Sequence, residues 1–173
     1  MKKILIALLI LILAGAGVFF YMSQERFEEG KYKVDMTDGL KYGSFVSFNL
    51  PDQFGNDVAL DSSIQKLIIV FKKERGHEVN EFLASKPKDY LKSKNALLMA
   101  DISKMPIAIR NMFALPSLKK NGYPTALMYN EALAKVFLTP GKVHKIHFIT
   151  LMNNRIVSVE HVSDMAQLEK LLK

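Results

Sequence analysis

The stretch KLIIVFKKERGHEVNEFL, Lys66–Leu83, decides how the chain is read. Its first part, Lys66–Phe71, is a short apolar run rich in Ile and Val, the signature of a strand buried on both faces. Charge then arrives abruptly at Lys72, Lys73, Glu74 and Arg75, followed by Gly76 and His77. Beyond it, Val79, Phe82 and Leu83 fall at helical spacing. A buried strand running through a charged turn into an amphipathic helix is the opening of a βαβ unit.

Working outward, the same alternation repeats. Asn95–Ser103 reads as a second buried strand, and Met105, Ile109, Met112 and Phe113 as the apolar face of a following helix that ends near Pro116 and Asn121-Gly122. Thr125–Tyr129 is a third strand. Leu133, Val136 and Phe137 then share one helical face. Upstream, Phe45–Leu50 and Val58–Leu60 flank the turn cluster Pro51–Asp57, which predicts a hairpin. Downstream, KIHFITLMNNRIVSVEHV predicts another, turning at Asn153-Asn154, a pair that tolerates positive φ. A two-residue loop there sets Leu151 opposite Ile156, His147 opposite Glu160 and His161 opposite Ile146. The last helix carries Met165, Leu168, Leu171 and Leu172 on one stripe, with Asp164 and Gln167 placed as a capping box. Alternating strands and helices imply a parallel core sheet covered on both faces.

The N-terminus sets the expected compartment. Met1, Lys2 and Lys3 precede an uncharged run, Ile4–Met22, whose 19 residues would span about 28 Å as a helix, close to the hydrocarbon thickness of a bilayer. Two readings compete. Ala14-x-Ala16 offers a signal-peptidase site, whereas the apolar run continues through Phe19, Phe20 and Tyr21, placed as an interfacial belt. The continuation favours an uncleaved signal-anchor over residues 1–22, leaving a charged spacer at 23–43 and a domain at 44–173. The expected location is the inner membrane, single-pass, with the domain exported to the periplasm or another extracytoplasmic space.

The chain has 173 residues and no cysteine. That absence removes disulfides, thiolate catalysis and cysteine-based metal sites together. The net charge of +7 is uneven: +2 in residues 1–22, −1 in 23–43 and +6 in 44–173. A basic domain beside a membrane fits anionic lipid or an acidic partner, and equally plain solubility. No basic stretch is interleaved with aromatics as a nucleic-acid platform would be, so no nucleic-acid partner is expected.

Taken together, FVSFNLPDQFGNDVALDSS with its Asp52–Gly55 turn, KLIIVFKK, YPTALMYNEALAKVF and FITLMNNRIVSVEHVSDMAQLEKLL resemble the thioredoxin fold. Within it they are most similar to the peroxiredoxin-type branch, the alkyl hydroperoxide reductase/thiol-specific antioxidant family. The resemblance spans roughly Tyr42–Leu172. It implies a three-layer α/β domain with a mixed central sheet, here preceded by one N-terminal transmembrane helix. It places the family's reactive cysteine and preceding threonine near Gly76–Glu81, where neither residue type occurs, and a thioredoxin Cys-x-x-Cys near Gly76–Val79, which reads Gly-His-Glu-Val. A cis-proline before the last hairpin, near Lys145–Ile146, is also missing; Pro124 matches one in wording only. The resemblance therefore lends a fold and no catalytic residue.

The same stretch carries residues of other chemistry. His77 and Glu81, at i and i+4, come near the zinc motif His-Glu-x-x-His but lack its second histidine. They are weak metal candidates, and acidic residues there also complement a helix dipole. His144 and His147, three apart, would face opposite sides of a strand. No nucleophile elbow, phosphate loop or dinucleotide fingerprint is present, and no cofactor is expected. Lys72, Lys73, Glu74, Arg75 and His77, at the C-terminal end of a core strand where open α/β sheets place ligand sites, form the candidate partner-binding loop. The expected function is a protein-binding or assembly module of the cell envelope. The alternative is a metal- or serine-dependent enzyme on the same scaffold.

Overall fold

The computed structural model describes residues 2–25, 27–28 and 30–173. Met1 of the expected positive N-terminal region, and Arg26 and Glu29 of the expected spacer, lie outside the described residues.

Two sheets form the core. A five-stranded sheet has the order β6-β5-β4-β7-β8, built from β4 (Lys66–Val70), β5 (Ala96–Asp101), β6 (Thr125–Met128), β7 (Ile146–Met152) and β8 (Arg155–Val162). Strands β4, β5 and β6 are parallel, whereas β7 runs antiparallel to both β4 and β8, so the sheet is mixed. On one face, Ile68, Val70, Leu98, Ile146, Phe148 and Val162 meet helix α2 (Lys73–Ala84), the short α3 (Tyr90–Ser93) and the terminal α7 (Met165–Leu171). On the other face, Leu67, Ile69, Leu97, Met99 and Ile149 meet α6 (Glu131–Val136) and a smaller antiparallel sheet, β1 (Lys33–Met36), β2 (Val46–Pro51) and β3 (Asp57–Ala59). These are three layers. The apolar run of β4 is buried from Leu67 onward because both its faces are covered, each such Leu or Ile contributing about 1.5–3 kcal/mol through burial.

Local chemistry sets the joints. Asp52 Oδ1 accepts from the Phe54 and Asn56 amides, closing the expected turn around Gly55 at φ +89°. The neighbouring Gln53 is buried; its Oε1 accepts from the Thr125 amide and its Nε2 donates to the Tyr123 carbonyl, fastening that turn to the start of β6. Asn153 and Asn154 both take positive φ in the closing hairpin, as expected. Asp164 caps α7 by accepting from the Gln167 amide, while Gln167 reaches back to the Ser163 amide rather than to Asp164 itself.

Several expectations need correction. The spacer is not one: within it, β1 pairs with β2 from Lys33↔Asn49 to Met36↔Val46. Pro116 does not end a helix. The segment runs through α4 (Ile107–Ile109), a π-helical turn (Arg110–Ala114) and α5 (Leu115–Leu118), and the wide turn changes the bonding pattern just before a residue that has no N–H to give.

Helix α1, Lys2–Met22, has 21 residues, and its described large apolar side chains are exposed from Ile4 through Tyr21. Among the described residues no helix is long and apolar enough to cross a membrane. The expected transmembrane helix is thus a helix here, not an established span.

Candidate functional site

The charged stretch is helix rather than loop. Phe71 is buried, Lys72 is the extended N-cap residue, and α2 begins at Lys73, with the Gly76 amide donating to the Lys72 carbonyl at 3.0 Å. The positions 76–81 therefore lie within α2. Lys73, Glu74 and His77 are exposed, and Lys72 is half-buried. No side chain caps this N-terminus, and two lysines stand where the helix dipole favours anions. Only Glu74 in the first turn matches the dipole.

Arg75 differs from its neighbours. Its Nε donates to the His144 carbonyl at 2.9 Å, and its Nη1 to the Ser163 carbonyl at 3.0 Å and to Glu78 Oε2 at 2.5 Å. It staples α2 to the segments before β7 and after β8. These bonds give Arg75 a structural role.

Under this turn lies a cluster that the expected hairpin register did not contain. The His147 and His161 rings stand 4.7 Å apart, edge to face, and Phe71 packs against His147 at 4.8 Å. His147 pairs with His161 across β7 and β8, not with Glu160, because the register shifts between Thr150 and Leu151. Thr139 joins the two: its amide donates to His147 Nε2 at 3.2 Å, and its hydroxyl lies 2.9 Å from His161 Nε2. With Nε2 accepting, the proton of neutral His147 sits on Nδ1, which is buried without a partner of good geometry. Burial first, and His161 second, push His147 down to about 4; a smaller pull from the Lys145 backbone opposes them. His161 is also lowered, by burial and then Lys142. The cluster is a neutral, packed floor.

The metal candidates are not brought together with a third ligand. His77 and Glu81 are both exposed on α2, and among the described residues no group of three His, Asp or Glu side chains gathers to hold a metal ion. His144 is exposed and contributes only its carbonyl to Arg75.

Since Val70 pairs with Ala100 and Asp101 with Met128 along parallel ladders, the chain leaves β4, β5 and β6 at one end of the sheet. The Lys72 turn is at that end. So is Tyr129, which follows β6 and fastens the segment after α1: Phe27 stacks on its ring at 4.8 Å, and the Arg110 guanidinium lies 4.7 Å from its centre. A cavity of about 380 Å³ opens there between Met22, Phe27, Phe54, Asn111, Lys119 and Tyr129.

No protein-family model matches the chain, and no curated protein matches it in sequence. Solved structures do match. The chain is similar to peroxidoxin BcpB from Mycobacterium tuberculosis, with a TM-score of 0.51 and 19% identity over 77% of this chain and 94% of that one. It is also similar to a thiol:disulfide interchange protein from Bacteroides sp., with a TM-score of 0.50 and 17% identity over 77% and 91% of the two chains. The fold is thioredoxin-like. What passes from these structures is the fold alone. A chain with no cysteine has no thiolate for exchange or peroxide reduction.

Proposed function

We propose that this chain is a membrane-anchored, exported thioredoxin-like domain of the peroxiredoxin type, without thiol chemistry, that binds a partner protein of the cell envelope. The observation carrying this reading is the start of α2. Lys72 and Lys73 sit at an uncapped helix N-terminus, against the dipole, at the strand-to-helix junction where α/β sheets place ligands. Locally unfavourable residues at such a junction are expected where function has a claim on them. The cations, Lys73 exposed and Lys72 half-buried, match an acidic surface, with His77 and Glu74 beside them. Anchoring is supported by the uncharged run Ile4–Met22, continuous with the exposed helix α1.

The test is capture of envelope proteins from detergent-solubilised membranes by the full chain, wild type against Lys72→Glu/Lys73→Glu, across a salt series. Steered association should weaken with salt in the wild type and be lost, with its salt dependence, in the variant. Equal capture by both chains at every salt concentration overturns the reading.

A further inference from the structure

The helical segment Ile107–Leu118 presents an apolar ridge that is exposed among the described residues. Ile109, Met112 and Phe113 are 49%, 37% and 60% exposed, and Pro116 continues the ridge, while Arg110 beside them is 2% exposed. Contiguous apolar side chains of this size on a soluble face mark an interaction surface. Their place in the fold says what covers them. Asn111, in the same π-helical turn, donates from Nδ2 to the Met22 carbonyl at 2.9 Å and to the Gln24 carbonyl at 3.1 Å. The ridge therefore starts at the point where α1 ends. Lys119, about two turns on, lines a cavity together with Met22, and Lys104 and Lys120 are exposed at the two ends of the segment.

We infer that this ridge lies in an anionic bilayer surface, as a second membrane contact beside α1. Ile109, Met112 and Phe113 enter the boundary between headgroups and acyl chains, and Lys104, Lys119 and Lys120 meet lipid phosphates. An amphipathic segment seats its apolar face roughly 5–10 Å into that boundary, with cations around it. A helix that ends beside the ridge, with its last carbonyl held by Asn111, delivers the ridge to that depth. The inference rests on the proposed membrane anchor.

The chain contains no tryptophan, so a single Phe113→Trp substitution gives an unambiguous reporter, and Ile109→Trp a second one. Met152→Trp is the control. It is exposed and sits in the β7–β8 hairpin, beyond the Lys66↔Thr150 pair and so at the opposite end of the sheet. Full chains are reconstituted into phosphatidylglycerol-containing vesicles with plain or brominated acyl chains, and tested for extraction by alkaline carbonate. The expected result is carbonate-resistant chains in which both ridge reporters emit to the blue of Met152→Trp and are quenched by the brominated lipid. Resistant chains with unquenched, unshifted ridge reporters overturn this inference and leave the anchor standing. A blue shift without quenching assigns the ridge to a protein partner or a second copy, and overturns it likewise. Release of the chains by carbonate overturns the anchor and this inference with it.

Discussion

Arg110 Nη2 lies 2.5 Å from Glu25 Oε2, although 85 positions separate the two residues. The guanidinium is buried and the carboxylate is partly exposed, so the pair ties a charge inside the domain to the segment that follows α1. Arg110 Nε is buried with no hydrogen-bond partner among the described residues, and Glu25 and the Tyr129 ring are described groups that compensate the guanidinium.

Removing the carboxylate strands a buried cation. Fully buried pairs cost about 3–5 kcal/mol to break this way; with Glu25 partly exposed, Glu25→Ala should cost about 1–3 kcal/mol in urea unfolding. Glu25→Leu combined with Arg110→Met, which leaves no charge behind, should recover most of the loss. A single Glu25→Ala variant within about 0.5 kcal/mol of wild type, the range of an ordinary surface change, would show that water replaces the carboxylate.

Stability and binding should move in opposite directions at the head of α2. Lys72→Asp supplies the missing cap and reverses an unfavourable charge, which should add about 1 kcal/mol. The same variant should bind the partner more weakly. A melt that does not rise contradicts the account of this N-terminus.

Gly76 sits inside α2 with a φ that any residue adopts, and a Cβ there would meet Val70 Cγ2 at 3.9 Å, an ordinary contact. Gly76→Ala should therefore stabilise the helix by roughly 0.5–1 kcal/mol. Loss of stability in thermal or urea unfolding would reveal a constraint that the packing does not display.

The His147 ring makes stability depend on pH. Unfolded, it takes a proton near 6.5; folded, only near 4. The unfolded state thus binds more protons through this window. Stability is unaffected above pH 6.5, falls as pH drops from about 6.5 to 4, and levels off below. At about 1.4 kcal/mol per pKa unit, the loss is about 3 kcal/mol at most, and His161 acts with the same sign. His147→Gln, which keeps an acceptor for the Thr139 amide, should flatten the slope in urea titrations between pH 4.5 and 7. An unchanged slope would assign it to other groups.

The layered architecture was legible because it is written in periodicity: the apolar run at Leu67–Phe71, the helical stripes at Val79–Leu83 and Leu168–Leu172, and the asparagine turn at Asn153-Asn154 each carry their own signal. The histidine pairing was not legible. Asn153-Asn154 and Leu151↔Ile156 came out as expected, but Thr150 pairs with Ser158, so Val157 is one residue extra on β8. A bulge has no short-range signature here, and a shift of one residue turns the pairing of His147 from Glu160 to His161. The structural bonds of Arg75 were hidden for a related reason. Charge near a strand end looks like solvent-facing charge until the chain brings carbonyls from residues 144 and 163 beside it. The role of Glu25 and Phe27 was hidden in the same way, since their partners Arg110 and Tyr129 are remote in sequence.

The segment between α1 and β1 is bound at Met22, Gln24, Glu25 and Phe27, through Asn111, Arg110 and Tyr129. With α1 in a bilayer, such a strap leaves almost no slack. The domain would be a fixed bracket rather than a ball on a chain. It could not sweep the aqueous space above the membrane for partners, and would scan only a thin slab about its own height. Its encounters would be set by lateral diffusion, with the Lys72 turn held at a constant bearing to the lipid plane. A partner suited to it would itself be confined to that slab.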